Sequence, residues 1–149
     1  MFIGKFYHSL EKNNRLSLPK NFRSKNNKWV VTRGLDGCLF LFSQDKFEQE
    51  IKNIAQRSLT KKSNRDLTRL MTNEAVELIA DKLGRVKLPN YLTEFAGLNK
   101  QLVVVGSFSR IEIWDQTTYH AYIDKIEPQA EQIAEQIDTN GVATDGLAT

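Results

Sequence analysis

An internal duplication is the feature of this sequence that most limits how the chain can fold. The segment 10–19 returns seventy residues later as 80–89. Each repeat has a carboxylate, an arginine four residues later, an apolar-x-apolar run and a proline. The likeness continues, with two extra residues in the second repeat, between 29–34 and 101–106 and between 39–42 and 111–114. Two copies of so long a period indicate a pseudo-two-fold domain, since a solenoid needs three or more units.

Composition narrows the class of protein. The chain has 149 residues, 40% of them hydrophobic and 26% charged, which is typical of one compact globular domain or of two small domains that share a core. We find no run of the ~20 apolar residues that would cross a bilayer, and the first residues lack the apolar stretch of a signal peptide. A single cysteine, Cys38, excludes an internal disulfide, and two histidines argue against a zinc site. We therefore expect a cytoplasmic protein without a membrane partner.

Charge is divided unevenly between the two halves. Residues 1–70 carry 15 Lys and Arg against 6 Asp and Glu, whereas residues 71–149 carry 6 against 12. A basic surface attracts phosphate through its long-range field and through counterion release. A solvated charged surface, or contacts between basic and acidic regions of neighbouring subunits, would explain the same division.

Hydrophobic periodicity predicts the elements of the first repeat. Alternation predicts a strand over 2–10, and Lys12, Asn13 and Asn14 predict a turn, because Asn tolerates positive φ. A short strand then ends at Pro19, which begins a helix over 20–24. A hairpin over 29–42 leads to a helix capped by Ser43. A second helix capped by Ser63 is expected to run through Met71.

The second repeat predicts the same order of elements. Strands are expected over 75–80, 85–88, 101–106 and 110–114, with a helix after Pro89 and another from Asp115. Gly84 stands where the first repeat has Asn14, so both turns are expected to adopt the left-handed region. A last helix over 127–138 carries one apolar stripe, which needs a partner in the core or on a neighbouring chain. The small, polar residues 139–149 predict disorder.

Enzyme chemistry finds no support in the sequence. His8 and His120 do not pair with a nucleophile at any recognisable spacing, and there is no glycine-rich phosphate loop. Glu11 and Asp81 could in principle form an acid–base pair. Each is followed four residues later by an arginine that would keep its carboxylate ionised, so this role is disfavoured. We therefore predict a protein that is not an enzyme, with no cofactor, metal or small-molecule substrate.

The carboxylate–arginine pair is the stronger functional signal. Residues four apart lie across a tight turn from each other, so Glu11 can orient Arg15, and Asp81 can orient Arg85. The planar guanidinium serves equally as a structural clamp and as a reader of guanine or phosphate, and the spacing alone does not separate these roles. Neighbouring basic residues, including Lys12, Lys20, Lys82 and Lys87, favour a nucleic-acid surface.

With these motifs together, the chain resembles the MraZ family of bacterial transcriptional regulators, which is built from two swapped-hairpin repeats of the AbrB and SpoVT type. The resemblance covers about residues 1–126. The motifs that carry it are Phe2-Ile3-Gly4 leading to Leu10, Arg15 to Pro19, Phe22-Arg23 and Asp81 to Val86. The family's aspartate-x-x-x-arginine motif is complete at Asp81 and Arg85. In the first repeat Glu11 replaces the aspartate and Asn14 replaces the glycine.

The resemblance implies an α+β fold in which two pseudo-symmetric ββαβ repeats form one interlocked, β-barrel-like unit with helices after each repeat. The expected divisions are repeat 1 over 5–50, a helical linker over 51–73, repeat 2 over 74–126, the C-terminal helix over 127–138 and the tail over 139–149.

It further implies sequence-specific binding to repeated short sites upstream of the cell-division and cell-wall gene cluster, the protein's own gene included. A homo-oligomeric ring associated with the nucleoid would bind double-stranded DNA. The expected DNA-binding residues are Arg15, Arg85, Lys12, Asn13, Asn14, Lys20, Lys82 and Lys87. The alternatives are an antitoxin-like protein, whose tail binds a toxin, and a structural nucleoid protein that binds DNA by charge alone.

Overall fold

The structure is a computed structural model that describes residues 1–23 and 26–137, so the predicted tail lies outside the described residues. Strands and helices follow one another in the order expected from the duplication. The strands are β1 Phe2–Ser9, β2 Arg15–Ser17, β3 Lys28–Arg33, β4 Leu39–Ser43, β5 Val76–Ile79, β6 Arg85–Lys87, β7 Gln101–Phe108 and β8 Arg110–Asp115. The α-helices are α1 Gln44–Ala55, α2 Lys62–Asn73, α3 Asn90–Phe95 and α4 Gln116–Ile126, and residues 130–137 are also helical.

Strands are paired across the two repeats. The larger sheet has the order β1-β7-β8-β4-β3-β5, and β2 pairs with β6 in a separate two-stranded ribbon. The first strand of each repeat therefore pairs with the third strand of the other, as β1 with β7 and β5 with β3. Since β5 to β8 are the counterparts of β1 to β4, the strand order is the same from either end. This pairing is the structural form of the pseudo-two-fold symmetry that the sequence predicts.

The mixed α+β class with an antiparallel sheet is confirmed, whereas a closed barrel is not. Among the described residues the hydrogen-bonded sheet ends at β1 on one side and β5 on the other. Residues of the ribbon and of the sheet together form the hydrophobic core. Leu16 of β2 and Val86 of β6 are 0% and 1% exposed, and both belong to the main apolar cluster together with Trp29 and Ile113.

Local predictions succeed where capping or turn chemistry is strong. The side chain of Ser43 accepts a hydrogen bond from the Lys46 N–H at 3.4 Å, as a helix N-cap should. The predicted helix over 20–24 is present as a 3-10 helix over Lys20–Phe22, and Ser24 lies outside the described residues. The predicted cap at Ser63 is wrong, because α2 is capped at Lys61 and contains Ser63 in its first turn.

Two compact units are distinguished, Met1–Gln116 and Thr117–Thr149. The first contains both sheets and α1 to α3. Within the second, α4 is followed by a 3-10 turn over Glu127–Gln129 and by the helical residues 130–137. In the described part of the chain, no helix combines the length and apolar character that crossing a bilayer requires.

Candidate nucleic-acid interface

The β2–β6 ribbon brings the two arginine turns together. Its register pairs Arg15 with Lys87 and Ser17 with Arg85, while Leu16 opposite Val86 forms the central pair. Because side chains alternate across a strand, the buried central pair leaves the other four positions on the opposite, outward face. Both motif arginines and one predicted lysine therefore share one surface, although seventy residues separate the arginines in sequence.

Positive φ angles form both turns. Asn14 has φ 58 and Gly84 has φ 76, so the expectation of left-handed backbone at this matched position is confirmed. Asn13 is also left-handed, with φ 61. The Leu18 N–H donates to the Gly84 carbonyl at 3.0 Å, and the Leu88 N–H donates to the Asn14 carbonyl at 2.9 Å. Each turn is therefore hydrogen-bonded to the strand end of the other repeat.

Asp81 organises the second turn. Its Oδ1 accepts the backbone N–H groups of Leu83 and Arg85, both at 2.9 Å, and its Oδ2 accepts from Nε of Arg85 at 2.7 Å. The Arg85 backbone N–H is the main cause that lowers the pKa of the Asp81 carboxyl below its usual 3.8, and the Arg85 side chain lowers it further. The guanidinium of Arg85 is thus held in one direction while its side chain stays 31% exposed.

The first turn shares a backbone hydrogen bond with the second turn but differs from it in the left-handed φ of Asn13 and in its side-chain arrangement. The Glu11 N–H donates to the Arg15 carbonyl at 2.8 Å, matching the bond from Asp81 N–H to the Arg85 carbonyl at 3.0 Å. Among the described residues, however, Glu11 forms neither a salt bridge with Arg15 nor a side-chain cap on the turn. Arg15 is exposed. The two repeats therefore present one restrained and one unrestrained arginine.

Arg23 also contacts the second turn, which the spacing of the motif did not reveal. Its Nε donates to the Leu18 carbonyl at 3.1 Å, and its side chain lies so close to Gly84 that an added Cβ would stand 2.3 Å from Nε. Partial burial of His8, together with the positive charge of Arg23, lowers the pKa of that imidazole. The sequence showed the Phe22-Arg23 pair as a family motif but gave no indication that Arg23 contacts Leu18 and Gly84.

The remaining predicted residues lie on or beside these turns. Lys12 and Asn13 are exposed in the first turn, and Lys82 is exposed in the second. Lys20 is exposed in the 3-10 turn after Pro19. Asn14 is half-buried, and its Nδ2 donates to Oδ1 of Asn90 at 3.3 Å. A DNA-contacting role for each of these residues stays a prediction.

Other reactive side chains lie apart from the ribbon. Cys38 is fully buried, which raises the pKa of its thiol well above the usual range. Within the two described ranges, His, Cys, Asp and Glu side chains do not gather in groups of three or more that could hold a metal ion.

Comparison with known families covers both repeats. A family model described as "MraZ protein, putative antitoxin-like" matches residues 1–70 and again residues 71–140. The two matches coincide with the duplication and with the exchange of strands between repeats. The family is of the regulator type and is not a family of enzymes. The chain therefore belongs to the MraZ family, with one family repeat in each half.

Proposed function

We propose that this chain is a sequence-specific DNA-binding regulator that reads DNA with the outward face of the β2–β6 ribbon and its two turns. The observation that carries the proposal is the ribbon register, in which Arg15, Arg85 and Lys87 share one face. Lys12 and Lys82 are exposed in the flanking turns, so positive charge surrounds the arginines.

Arginine and lysine take different roles in this mechanism. A guanidinium can donate two hydrogen bonds to guanine O6 and N7 in the major groove, worth about 1–3 kcal/mol of discrimination. Lys12, Lys20, Lys82 and Lys87 hold neighbouring phosphates or bases, which contributes affinity and makes it dependent on salt. Asn13 and Asn14 bring amide groups that can bond to base edges or phosphate.

Orientation by Asp81 favours Arg85 as a reading residue. A side chain that is already fixed loses less conformational entropy on binding, a saving of about 0.5–1.5 kcal/mol for a rotamer-rich side chain. Asp81 accepts from Nε of Arg85 at 2.7 Å, and within the described residues the terminal Nη groups of Arg85 have no hydrogen-bond partner. Those groups carry the donors that a bidentate contact with guanine uses.

Repeated sites and self-association belong together in this proposal. One arginine contact per repeat is weak, whereas a ring that lays several subunits across repeated short sites gains affinity through effective concentration. The proposed targets lie upstream of the cell-division and cell-wall gene cluster and of the protein's own gene. Binding there would place the protein on the nucleoid in the cytoplasm. In each subunit the two repeats would act as one interlocked, barrel-like unit.

A binding titration tests the proposal directly. DNA from upstream of the protein's own gene is titrated with wild type, Arg15→Ala and Arg85→Ala, at two salt concentrations and with excess random DNA. Lys46→Ala, a change in an exposed residue of α1 away from the ribbon, is the matched control. We expect wild type and the control to resist the competitor, and each arginine variant to lose about 10-fold or more in specific affinity.

Two results would contradict the proposal. If random DNA displaces the wild type completely, binding depends on charge alone, as in a structural nucleoid protein. If both arginine variants bind as the wild type does, the ribbon is not the reading surface.

The words "antitoxin-like" in the family description support a second candidate, a protein that binds and neutralises a toxin. Co-purification of a stoichiometric protein partner, together with competitor-sensitive DNA binding, would favour this role over gene regulation.

A further inference from the structure

The segment 127–137 presents an exposed helical surface. Every residue in it is exposed. Its apolar residues recur at the spacing of one helix face, with Ile133 and Ile137 being 38% and 66% exposed. The full stripe consists of Ala130, Ile133, Ala134 and Ile137. Apolar surface that is exposed to water is unfavourable, and a contiguous exposed stripe marks a site where a partner can bind.

The same segment is acidic along one flank. Glu127, Glu131 and Glu135 recur every four residues, and 127–137 contains no Lys or Arg. At 3.6 residues per turn, Glu131 and Glu135 lie on one side of the apolar stripe, whereas Gln132 and Gln136 lie on the other. The complementary partner is thus an apolar hollow with positive charge on its rim.

A hollow of this kind lies where α1 leads into α2. It has a volume of about 240 Å³. Its apolar walls include Ile54, Ala55 and Leu59, the last of which is 76% exposed. Three arginines also line it, and we call it the arginine hollow. Its lining residues are Ile54, Ala55, Arg57, Leu59, Asn64, Arg65, Thr68 and Arg69.

The arginines of the hollow differ in their freedom. Nη1 of Arg65 donates to the Leu59 and Thr60 carbonyls, both at 3.0 Å, so Arg65 holds the loop in place. Arg69 pairs with Asp66 at 3.1 Å and remains 61% exposed. Arg57 is exposed and forms no ion pair with a described residue. Arg57 and Arg69 are therefore the groups that can meet incoming carboxylates.

A larger hollow, of about 720 Å³, lies between α1, α2 and the β3–β5 pair. Asp45, Glu48 and Glu77 line it around Phe47 and Ile51. Lys52 lines it as well but already pairs with Glu48 at 3.1 Å, so the carboxylates outnumber the basic group. Its acidic residues would repel Glu131 and Glu135, so charge selects the arginine hollow over this one.

We infer that the arginine hollow of one subunit binds the acidic segment 127–137 of a second subunit. Ile133 and Ile137 enter the apolar floor, and Glu131 and Glu135 pair with Arg57 and Arg69. This docking rests on the self-association included in the proposed function and assigns a surface to it. Because each subunit offers both a hollow and a segment, the contact runs head to tail, and such contacts close into rings when the rotation permits.

Charge reversal in the full-length chain tests the contact by sedimentation velocity. Arg57→Glu with Arg69→Glu reverses the hollow, and Glu131→Arg with Glu135→Arg reverses the segment. We expect the wild type to sediment at several times its subunit mass of 17.1 kDa, and each reversed protein to fall to that mass. Two double variants that change the net charge equally separate the effect of position from the effect of charge. We expect Glu131→Gln with Glu135→Gln to weaken assembly. We expect Gln132→Lys with Gln136→Lys, on the other side of the stripe, to leave assembly intact.

Mixing the two reversed proteins identifies the second subunit as the occupant. The unaltered segment of one fits the unaltered hollow of the other, and the two reversed surfaces again have opposite charge. We expect the mixture to recover the assembled mass. If the mixture stays at 17.1 kDa, the segment does not dock on another subunit and the inference is overturned.

The controls distinguish this inference from the proposed function. Circular dichroism checks that the reversed proteins fold, and a DNA fragment with one site measures binding that does not need assembly. Reversed proteins that assemble as the wild type does overturn the docking and leave the ribbon mechanism standing. A wild type of 17.1 kDa overturns the docking and the proposed ring together, while the arginine titration still decides how DNA is read.

Discussion

Replacing Gly84 by alanine measures how tightly the second turn is constrained. Gly84 has φ +76, and a Cβ there would lie 2.3 Å from Nε and 2.7 Å from Cζ of Arg23. Left-handed backbone costs a non-glycine residue roughly 1–2 kcal/mol. Arg23 must also leave the Leu18 carbonyl, losing a hydrogen bond worth about 1 kcal/mol. We therefore expect Gly84→Ala to lower the free energy of unfolding by about 2–3 kcal/mol.

Urea unfolding at one fixed protein concentration is the assay, because self-association would otherwise shift the midpoint. In an Arg23→Ala background only the backbone strain remains, so the cost of Gly84→Ala should fall by about 1 kcal/mol. The matched substitution Asn14→Gly, also at positive φ, should change stability by less than about 1 kcal/mol, since Asn accepts this conformation. The reasoning is refuted if Gly84→Ala unfolds at the wild-type urea concentration, or if its cost is the same with and without Arg23.

Three further predictions concern single side chains. The depressed pKa of Asp81 means that its stabilising contribution is complete above its usual value of 3.8 and is lost as the pH falls through the lower folded-state value. Melting temperature from about pH 5 downward should therefore fall more steeply in wild type than in Asp81→Asn, and parallel curves would contradict this. Thr32→Val removes a buried hydrogen bond of 2.8 Å to the Met71 carbonyl. Thermal unfolding should therefore show that the free energy of unfolding is lower by about 1–3 kcal/mol, and an unchanged melting curve would count against this. Cys38, being buried with a raised pKa, should escape iodoacetamide in the folded protein and react fully in urea, as mass spectrometry would record; modification without denaturant would be the opposite result.

Strand positions followed from sequence, whereas strand partners did not follow from periodicity alone. Alternation and the repeat placed β1, β3 and β7 to within a few residues. Yet β3 and β7 carry matching apolar patterns, and either could satisfy the apolar face of β1 equally well. The choice of β7 depends on the whole ribbon and sheet forming together. The exchange was available only through the family resemblance, which carries information about tertiary pairing that local patterns lack.

The unequal turns show a second limit of spacing. Glu11 and Asp81 stand at the same position before an arginine, and the sequence predicted the same orienting role for both. An aspartate carboxylate is short enough to accept the backbone N–H groups two and four residues ahead, as Asp81 does from Leu83 and Arg85. The side chain of Glu11 is longer by one methylene and caps no N–H group of its own turn. The two turns therefore differ both in the reach of the carboxylate and in the left-handed backbone at Asn13, and within the described residues Arg85 is the motif arginine that its carboxylate holds.

Strand exchange couples the candidate DNA surface to the stability of the fold. The Gly84 carbonyl accepts a bond from Leu18, and the Asn14 carbonyl accepts one from Leu88, so neither turn is completed by its own repeat. The central ribbon pair, Leu16 and Val86, is buried in the main core. Opening the ribbon would expose that core, at about 25 cal/mol for each Å² of apolar surface. The two arginines consequently keep their spacing for as long as the domain is folded, and a second arginine at fixed spacing binds at a high effective concentration once the first has bound.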